Sequence, residues 1–337
     1  MSPQILERPQ RFWTNAAESS RLHVRVLALR WFRGLLRLGY AVTMGFVNGA
    51  ERERLLDKLD ACQERLHPPG ENQFTRVRFA WNLEVLVNLG EKVGRDLYYG
   101  AGFETFEFEI VRKLLGEGDI FVDVGANLGL YTLVASRLVG ELGSVHAFEP
   151  QAETYQLLAD NVRRNHVSNV VLNQAALGET NGEAELFINR ESALTSMGRT
   201  GRGSVINIQK VPVWTLDDYA DRNGIERINF LKVDVEGFEG NVLRGGIGMI
   251  SRSPDLVVLS ELAEKNFQPM GFSVNEVIDW MRALGFVVWM VNDSEKLLEK
   301  IDEKAVSYPS NNFIFARPQS LNYDEITAFS SSHVTDF

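Results

Sequence analysis

DIFVDVGANLGLY, residues 119–131, carries an apolar run into a glycine-bearing turn and on into a second apolar segment. Ile120, Phe121 and Val122 form the continuous β-branched and aromatic stretch expected of a strand covered on both faces, and Gly125 and Gly129 bracket the turn. Glycine lets backbone approach a ligand where a Cβ would clash. A helix beginning at about Leu128 aims its free N–H groups into the turn, which favours an anionic group such as a carboxylate. We read the turn as a cradle for a nucleotide-type cofactor.

The spacing selects among such cofactors. A dinucleotide fingerprint in this register needs glycine at 123, 125 and 128, whereas the chain has Asp123, Gly125 and Leu128, giving D-x-G-x-x-x-G. An acid at the strand end suits a ligand with positive charge, and S-adenosylmethionine brings an ammonium and a sulfonium. The next strand, SVHAFEP (144–150), ends in Glu149, where a carboxylate can accept both ribose hydroxyls. Gln174 and Ala175, at the exit of a third strand in VVLNQAALG (170–178), sit where an adenine ring would rest.

The chain has 337 residues, 45% of them hydrophobic, enough for one large domain or a domain with an extension. Its single cysteine, Cys62, excludes an internal disulfide framework, and no secretory leader pattern opens the sequence, so the expected location is cytoplasmic. The net charge of -10 divides unevenly, because residues 1–70 carry 11 Lys and Arg against 7 Asp and Glu (+4), leaving 24 against 38 (-14) for the remainder. An acidic body repels nucleic-acid phosphates, and no N-P-P-[YF] motif for a flipped base is present, so no nucleic-acid partner is expected.

Along the chain, Leu27, Trp31, Leu35 and Leu38 share one face of a predicted helix whose other face carries Arg30, Arg33 and Arg37. Such a basic amphipathic helix either packs on its own protein or makes peripheral contact with an anionic membrane face. A second helix, about Glu51 to Leu66, aligns Leu55, Leu59, Cys62 and Leu66. From Val77 to Leu89 every odd position is apolar, a half-buried strand pattern compatible with a hairpin. Residues 95–115 then give a glycine turn and a helix leading into the core. Two extended stretches, 184–188 and 204–216, enclose NRESALTSMGRTGRG (189–203), read either as a mobile lid or as a surface excursion.

The second chemically loaded stretch is INFLKVDVEGFEGNVLRGG (228–246), where a buried strand runs into Asp234, Glu236 and Glu239. In an open parallel sheet ligands bind beyond the carboxyl ends of strands near the switch in strand order, so these carboxylates should lie beside the cradle. Their bland role is to cap a helix N-terminus. Asp234 or Glu236 could instead accept or orient the proton of an acceptor hydroxyl, or join Glu261 in holding Mg2+. The assignment adopted has no metal. The five histidines are scattered, without metal-ligand spacing.

FVDVGANLGLYT, HAFEP, ALGETNGEAELF, TLDDY and LKVDVEGFE, in this order, together with LYYGAGFE (97–104), resemble the FkbM family of S-adenosylmethionine-dependent methyltransferases over roughly 95–316. The resemblance implies a class I methyltransferase fold, a doubly wound α/β sheet that is mostly parallel with one antiparallel strand, and O-methylation of a hydroxyl on a sugar, glycan or polyketide-like small molecule. It also implies that Asp123, Gly125, Asn127 and Glu149 hold S-adenosylmethionine, with Gly129 in the same turn, and that Asp234 and Glu236 line the reaction site. The expected organisation is a helical extension over 1–70, a β-hairpin and helix over 71–115, the methyltransferase domain over 116–320 and a tail over 321–337. A nicotinamide oxidoreductase and a catalytically silent cofactor-binding scaffold are the rival classes.

Overall fold

The structure is a computed structural model, and it describes residues 35–36, 38–39, 49–68, 72–100, 104–198, 204–267, 271, 273–302 and 311–331. The chain divides into two compact units. One holds residues 1–68 and 95–103, the other residues 69–94 and 104–337.

Within the first unit, helix α1 (Gly49–Leu66) turns Leu56, Leu59, Cys62 and Leu66 onto a small cluster built on Leu36 and Tyr99. Cys62 is half-buried there, and His67 Nε2 lies 2.9 Å from the Tyr99 hydroxyl. Most of the predicted arginine-faced helix lies outside the described residues. Where it is described, the inward residue is Leu36, whereas Leu35 and Leu38 are exposed. Leu36 meets Tyr99, and a Cβ at Gly39 would stand 3.1 Å from Leu59, so positions 36 and 39 form the packed edge and the wheel read from Leu35 and Leu38 is turned away.

The second unit opens with an antiparallel hairpin, β1 (Phe74–Phe79) and β2 (Leu83–Asn88). Alternation buries Val77, Leu83, Val85 and Val87, but Trp81 leaves the pattern: it sits in the connecting turn at φ 50, half-exposed, where no strand face can bury it. The hairpin docks on helix α5 (Ala152–Arg164), whose Asn161 and Asn165 side chains accept from the Leu86 and Glu84 amides. Between them in the chain come α2 (Lys92–Tyr99), which belongs to the first unit from Arg95 onward, then α3 (Thr105–Leu114), β3 (Ile120–Val124), α4 (Leu130–Leu138) and β4 (Ser144–Phe148).

After β5 (Val170–Asn173), a three-stranded sheet of β6 (Ala176–Leu177), β7 (Gly182–Asn189) and β8 (Val205–Trp214) interrupts the alternation. Helix α6 (Leu216–Asn223) leads to β9 (Phe230–Val233), then α7 (Glu239–Arg244), α8 (Ile247–Arg252) and β10 (Val257–Leu262). The chain closes with α9 (Glu264–Phe267), α10 (Val274–Ala283), β11 (Val287–Asn292), β12 (Leu297–Lys300), β13 (Asn311–Ala316) and α11 (Tyr323–Ser331).

The central sheet has the order β12-β11-β13-β10-β9-β3-β4-β5 among the described residues. Strands β10, β9, β3, β4 and β5 are parallel, and β13 is antiparallel to both its neighbours. The class I methyltransferase fold is therefore present, a Rossmann-like α/β sheet with its antiparallel strand where that fold carries it. Strand β12 is an eighth, also antiparallel, added at the edge by a short return after β11. Phe121 and Phe230 stack across β3 and β9 at 5.3 Å, inside the apolar run that marks these as covered strands. The segment read as a C-terminal tail carries α11, whose Ile326 and Phe329 are buried, with Phe329 edge-on to Phe106 at 5.7 Å. No helix among the described residues is long and apolar enough to cross a membrane.

Candidate cofactor and acceptor site

The strand order reverses between β3 and β9, and the two exit turns there touch. A Cβ at Gly125 would stand 1.9 Å from the Asp234 carbonyl oxygen, and φ at Gly125 is +78. Only glycine allows that approach and that backbone together. Gly129, at φ +86, sits at the N-cap of α4, and its Cβ would meet Leu158 at 2.5 Å. The turn is pinned by the Gly125 and Ala126 amides, which both donate to the Phe148 carbonyl at 3.0 Å.

Glu149 closes this cradle. Its Oε2 accepts from the Asn127 amide at 3.0 Å and its Oε1 from the Gln151 amide at 2.9 Å, so the carboxylate is aimed by backbone and keeps lone pairs for ligand hydroxyls. Burial pushes its carboxyl up to about 7, against the two backbone amides, which pull it down. Asn127 adopts φ 50, and its Oδ1 is buried without a hydrogen-bond partner among the described residues. An orphaned acceptor beside a glycine cradle is what a site for a donor-bearing ligand leaves. The residues present therefore fit S-adenosylmethionine. Ala175 is buried and Gln174 exposed, both just beyond β5.

Asp123 lies beneath the cradle, and its Oδ1 makes no hydrogen bond among the described residues. It has no exposed surface; Oδ2 accepts from the Thr132 hydroxyl at 2.6 Å, and Oδ1 lies 3.8 Å from Lys232 Nζ. It braces the first turn of α4 from beneath the cradle. Burial raises its carboxyl, while Lys232 and Thr132 oppose that rise.

Lys232 is the group that sequence reading missed. Paired directly across from Asp123, it donates to the Gly125 carbonyl at 3.0 Å and to Asp234 Oδ2 at 3.2 Å, and its ammonium stands 5.4 Å from the Tyr131 ring. Burial alone would favour the neutral amine, but Asp234, Asp123 and Glu104 overcome it and push the ammonium well up. The signal was a lysine inside an otherwise apolar covered strand, FLKV. Glu104 and Tyr131 were missed too: the Tyr131 hydroxyl donates to Glu104 Oε2 at 2.6 Å.

The three acids of the VDVEGFE stretch separate by role. Glu239 is buried and accepts from the Val235 and Gly237 amides at 3.0 to 3.1 Å, so it holds the turn. Burial pushes its carboxyl up to about 8 against those bonds. Asp234 and Glu236 remain half-buried at the rim, where Asn266 donates to Glu236 Oε2 at 2.8 Å. One carboxylate oxygen each from Asp234, Glu236 and Glu261 lies within 4.8 Å of the others, close enough to bridge a divalent cation, although acids group at this spacing without one too. The 189–203 stretch reaches the same rim as far as it is described: Ser196 Oγ donates to the Glu236 carbonyl at 2.7 Å, and Ser192 donates to Glu91. His146 is structural. It is bonded to the Tyr219 hydroxyl at 2.8 Å, and burial lowers it to about 4.

Comparison with known proteins agrees with this geometry. The family description "Methyltransferase FkbM domain" matches residues 123–288. "Methyltransferase sdnD" of Sordaria araneosa is 31% identical over 184 residues, 46% of this chain and 70% of that protein. "Hexuronic acid methyltransferase AglP" of Haloferax volcanii is 28% identical over 142 residues, 41% of this chain and 56% of that protein. The chain spans less than two thirds of the length of several curated relatives it matches. Among solved structures, the FkbM methyltransferase of Methylobacillus flagellatus aligns with TM-score 0.40 and 15% identity, over 66% of this chain and 54% of that one. The linked motifs, the matching family description and the 31% identical relative make this chain a member of the FkbM family of S-adenosylmethionine-dependent methyltransferases.

Proposed function

We propose that this protein methylates a hydroxyl oxygen of a sugar, glycan or polyketide-like small molecule, with S-adenosylmethionine as donor. The observation that carries the reading is the meeting of Asp234 and Glu236, beyond β9, with Glu261 near the end of β10, where the Asp234 backbone abuts the Gly125 turn. S-adenosylmethionine supplies a methyl carbon with a good leaving group already attached, so the protein has mainly to align acceptor oxygen, carbon and sulfur. Glu149 accepts the ribose hydroxyls, Gln174 and Ala175 flank the base, and the Gly125–Gly129 turn admits the amino-acid arm.

Asp234 and Glu236 are the acceptor-facing pair. A carboxylate accepts a hydrogen bond from an alcohol and so fixes the lone pair that attacks. Asp234 is held by the Lys232 ammonium, which donates to its Oδ2, and Glu236 is aimed by Asn266. A rim of three carboxylates disfavours an anionic acceptor, which supports a neutral polyol over an ionised uronate. Incubation with a methyl-13C donor and candidate acceptors, followed by NMR of the product, tests the reading. A methyl attached to nitrogen or carbon would make it wrong.

A further inference from the structure

Carboxylates outnumber cations where β3 and β9 end. Among the described residues Glu104, Asp123 and Asp234 face one ammonium, that of Lys232, and Glu107 on the same helix adds a like charge beside Glu104. Asp123 is fully buried and braced by Thr132, and Asp234 already accepts from Lys232. Glu104 is different. It is half-buried at the N-cap of α3, its Oε2 accepts from Tyr131, and its Oε1 makes no hydrogen bond among the described residues. The aim of this carboxylate is fixed, because the Tyr131 ring is buried and stacks on Phe108 at 4.4 Å.

Resting on the methyltransferase reading of the site, the geometry points to Glu104 as the partner of the methionine ammonium of S-adenosylmethionine. The cofactor carries two cations, and chemistry separates them. The sulfonium has no hydrogen to donate, and its charge disappears as the methyl leaves. An anion held against it would stabilise the reactant more than the transition state and slow transfer. The ammonium keeps its charge throughout and offers three donors, so a carboxylate beside it binds without slowing the reaction.

The groups facing Glu104 are Tyr131 from α4, Lys232 from β9, Asp234 from the exit of β9 and Glu107 from its own helix. Burial, then Asp234, pushes its carboxyl up to about 8, with Tyr131 and Lys232 opposing. The raised carboxyl holds a proton more readily in the ligand-free site, and an arriving ammonium favours its release.

The test uses the full chain and two ligands: S-adenosylhomocysteine, which keeps the ammonium, and 5′-methylthioadenosine, which lacks the amino-acid arm. Calorimetric titration at pH 7, in buffers of different ionisation enthalpy, gives affinity and protons released. Glu149 contributes to the proton count for both ligands; Glu104 contributes only for the first. Glu104→Gln should weaken S-adenosylhomocysteine roughly tenfold or more, remove its excess proton release and leave 5′-methylthioadenosine binding unchanged. Glu104→Asp, which keeps the charge but retracts it, should show a smaller loss with the same ligand selectivity, and it decides the matter if the Gln variant does not fold. Unchanged affinity and proton count in a folded variant would overturn the assignment, as would equal losses for both ligands. Failure of the wild type to bind either ligand would instead overturn the methyltransferase reading.

Discussion

Gly125→Ala tests whether the contact between the two exit turns organises the site. Two costs add at this position. A Cβ at φ +78 carries left-handed strain of roughly 1–2 kcal/mol. It would also stand 1.9 Å from the Asp234 carbonyl oxygen, so backbone must move by more than an ångström in a packed region, costing about 1–3 kcal/mol more. The sum, roughly 2–5 kcal/mol, corresponds to a fall in Tm of about 5–15 °C for a domain of this size. Gly285→Ala is the control, because Gly285 has φ +85 and nothing within 4 Å of its Cβ. It should lose only the strain, about 2–6 °C. Thermal unfolding of both variants separates clash from strain. Because the Gly125 carbonyl accepts from Lys232, only Gly125→Ala should also abolish S-adenosylhomocysteine binding. Equal melting losses with binding intact in both would refute the reasoning.

On the proposed ribose-binding role of Glu149, Glu149→Ala should weaken S-adenosylhomocysteine at least roughly tenfold by calorimetry and also lower Tm, because the Asn127 and Gln151 amides lose their acceptor; wild-type affinity would remove Glu149 from the site. Asp123→Ala should lower Tm and affinity together, since Asp123 acts through Thr132 and Lys232, and loss of affinity alone would contradict that bracing role. Asp234→Asn and Glu236→Gln should bind the cofactor normally yet lose about 10²- to 10⁴-fold in turnover, and full activity in both would exclude them from the reaction. EDTA should leave turnover unchanged, whereas a loss restored by Mg2+ would assign Asp234, Glu236 and Glu261 to a cation. Glu104 and Glu239, raised to about 8, and Glu149, raised to about 7, bind protons more tightly folded than unfolded. The stability of the ligand-free protein should therefore fall as pH rises toward 8, most cleanly above the ordinary histidine range, where His146 no longer contributes. A Tm that rises over that window would contradict the assignment.

The strands of the central sheet were legible because each is a covered apolar run, and the cofactor turn because its glycines interrupt such a run. What sequence could not supply was direction. Trp81 satisfied a period-two pattern but fell at the hairpin tip, and Leu35 and Leu38 satisfied a helical wheel whose packed edge is Leu36 and Gly39. Periodicity records which residues share a face and is silent about what the face meets. Glu104 and Tyr131 lie 27 positions apart and become partners only when α3 and α4 pack on the same side of the sheet. β12 escaped because four residues of mixed polarity, LLEK, carry too few periods to read.

The same limit explains the acid of the D-x-G-x-x-x-G turn. A sequence places Asp123 at the end of a strand but cannot show that pairing with β9 sets it opposite Lys232 on a covered face. Its charge then serves the site at one remove, by holding the ammonium that in turn holds the Gly125 carbonyl and Asp234. The Gly125 turn and Asp234 thus share one buried cation. A buried charge set of this kind contributes little net stability, because desolvation offsets much of the attraction, but its bonds have few alternative arrangements. A methyl transfer that depends on aligning three atoms in a line needs such fixed geometry, and on the proposed reading Lys232, bonded to both the Gly125 turn and Asp234, supplies it.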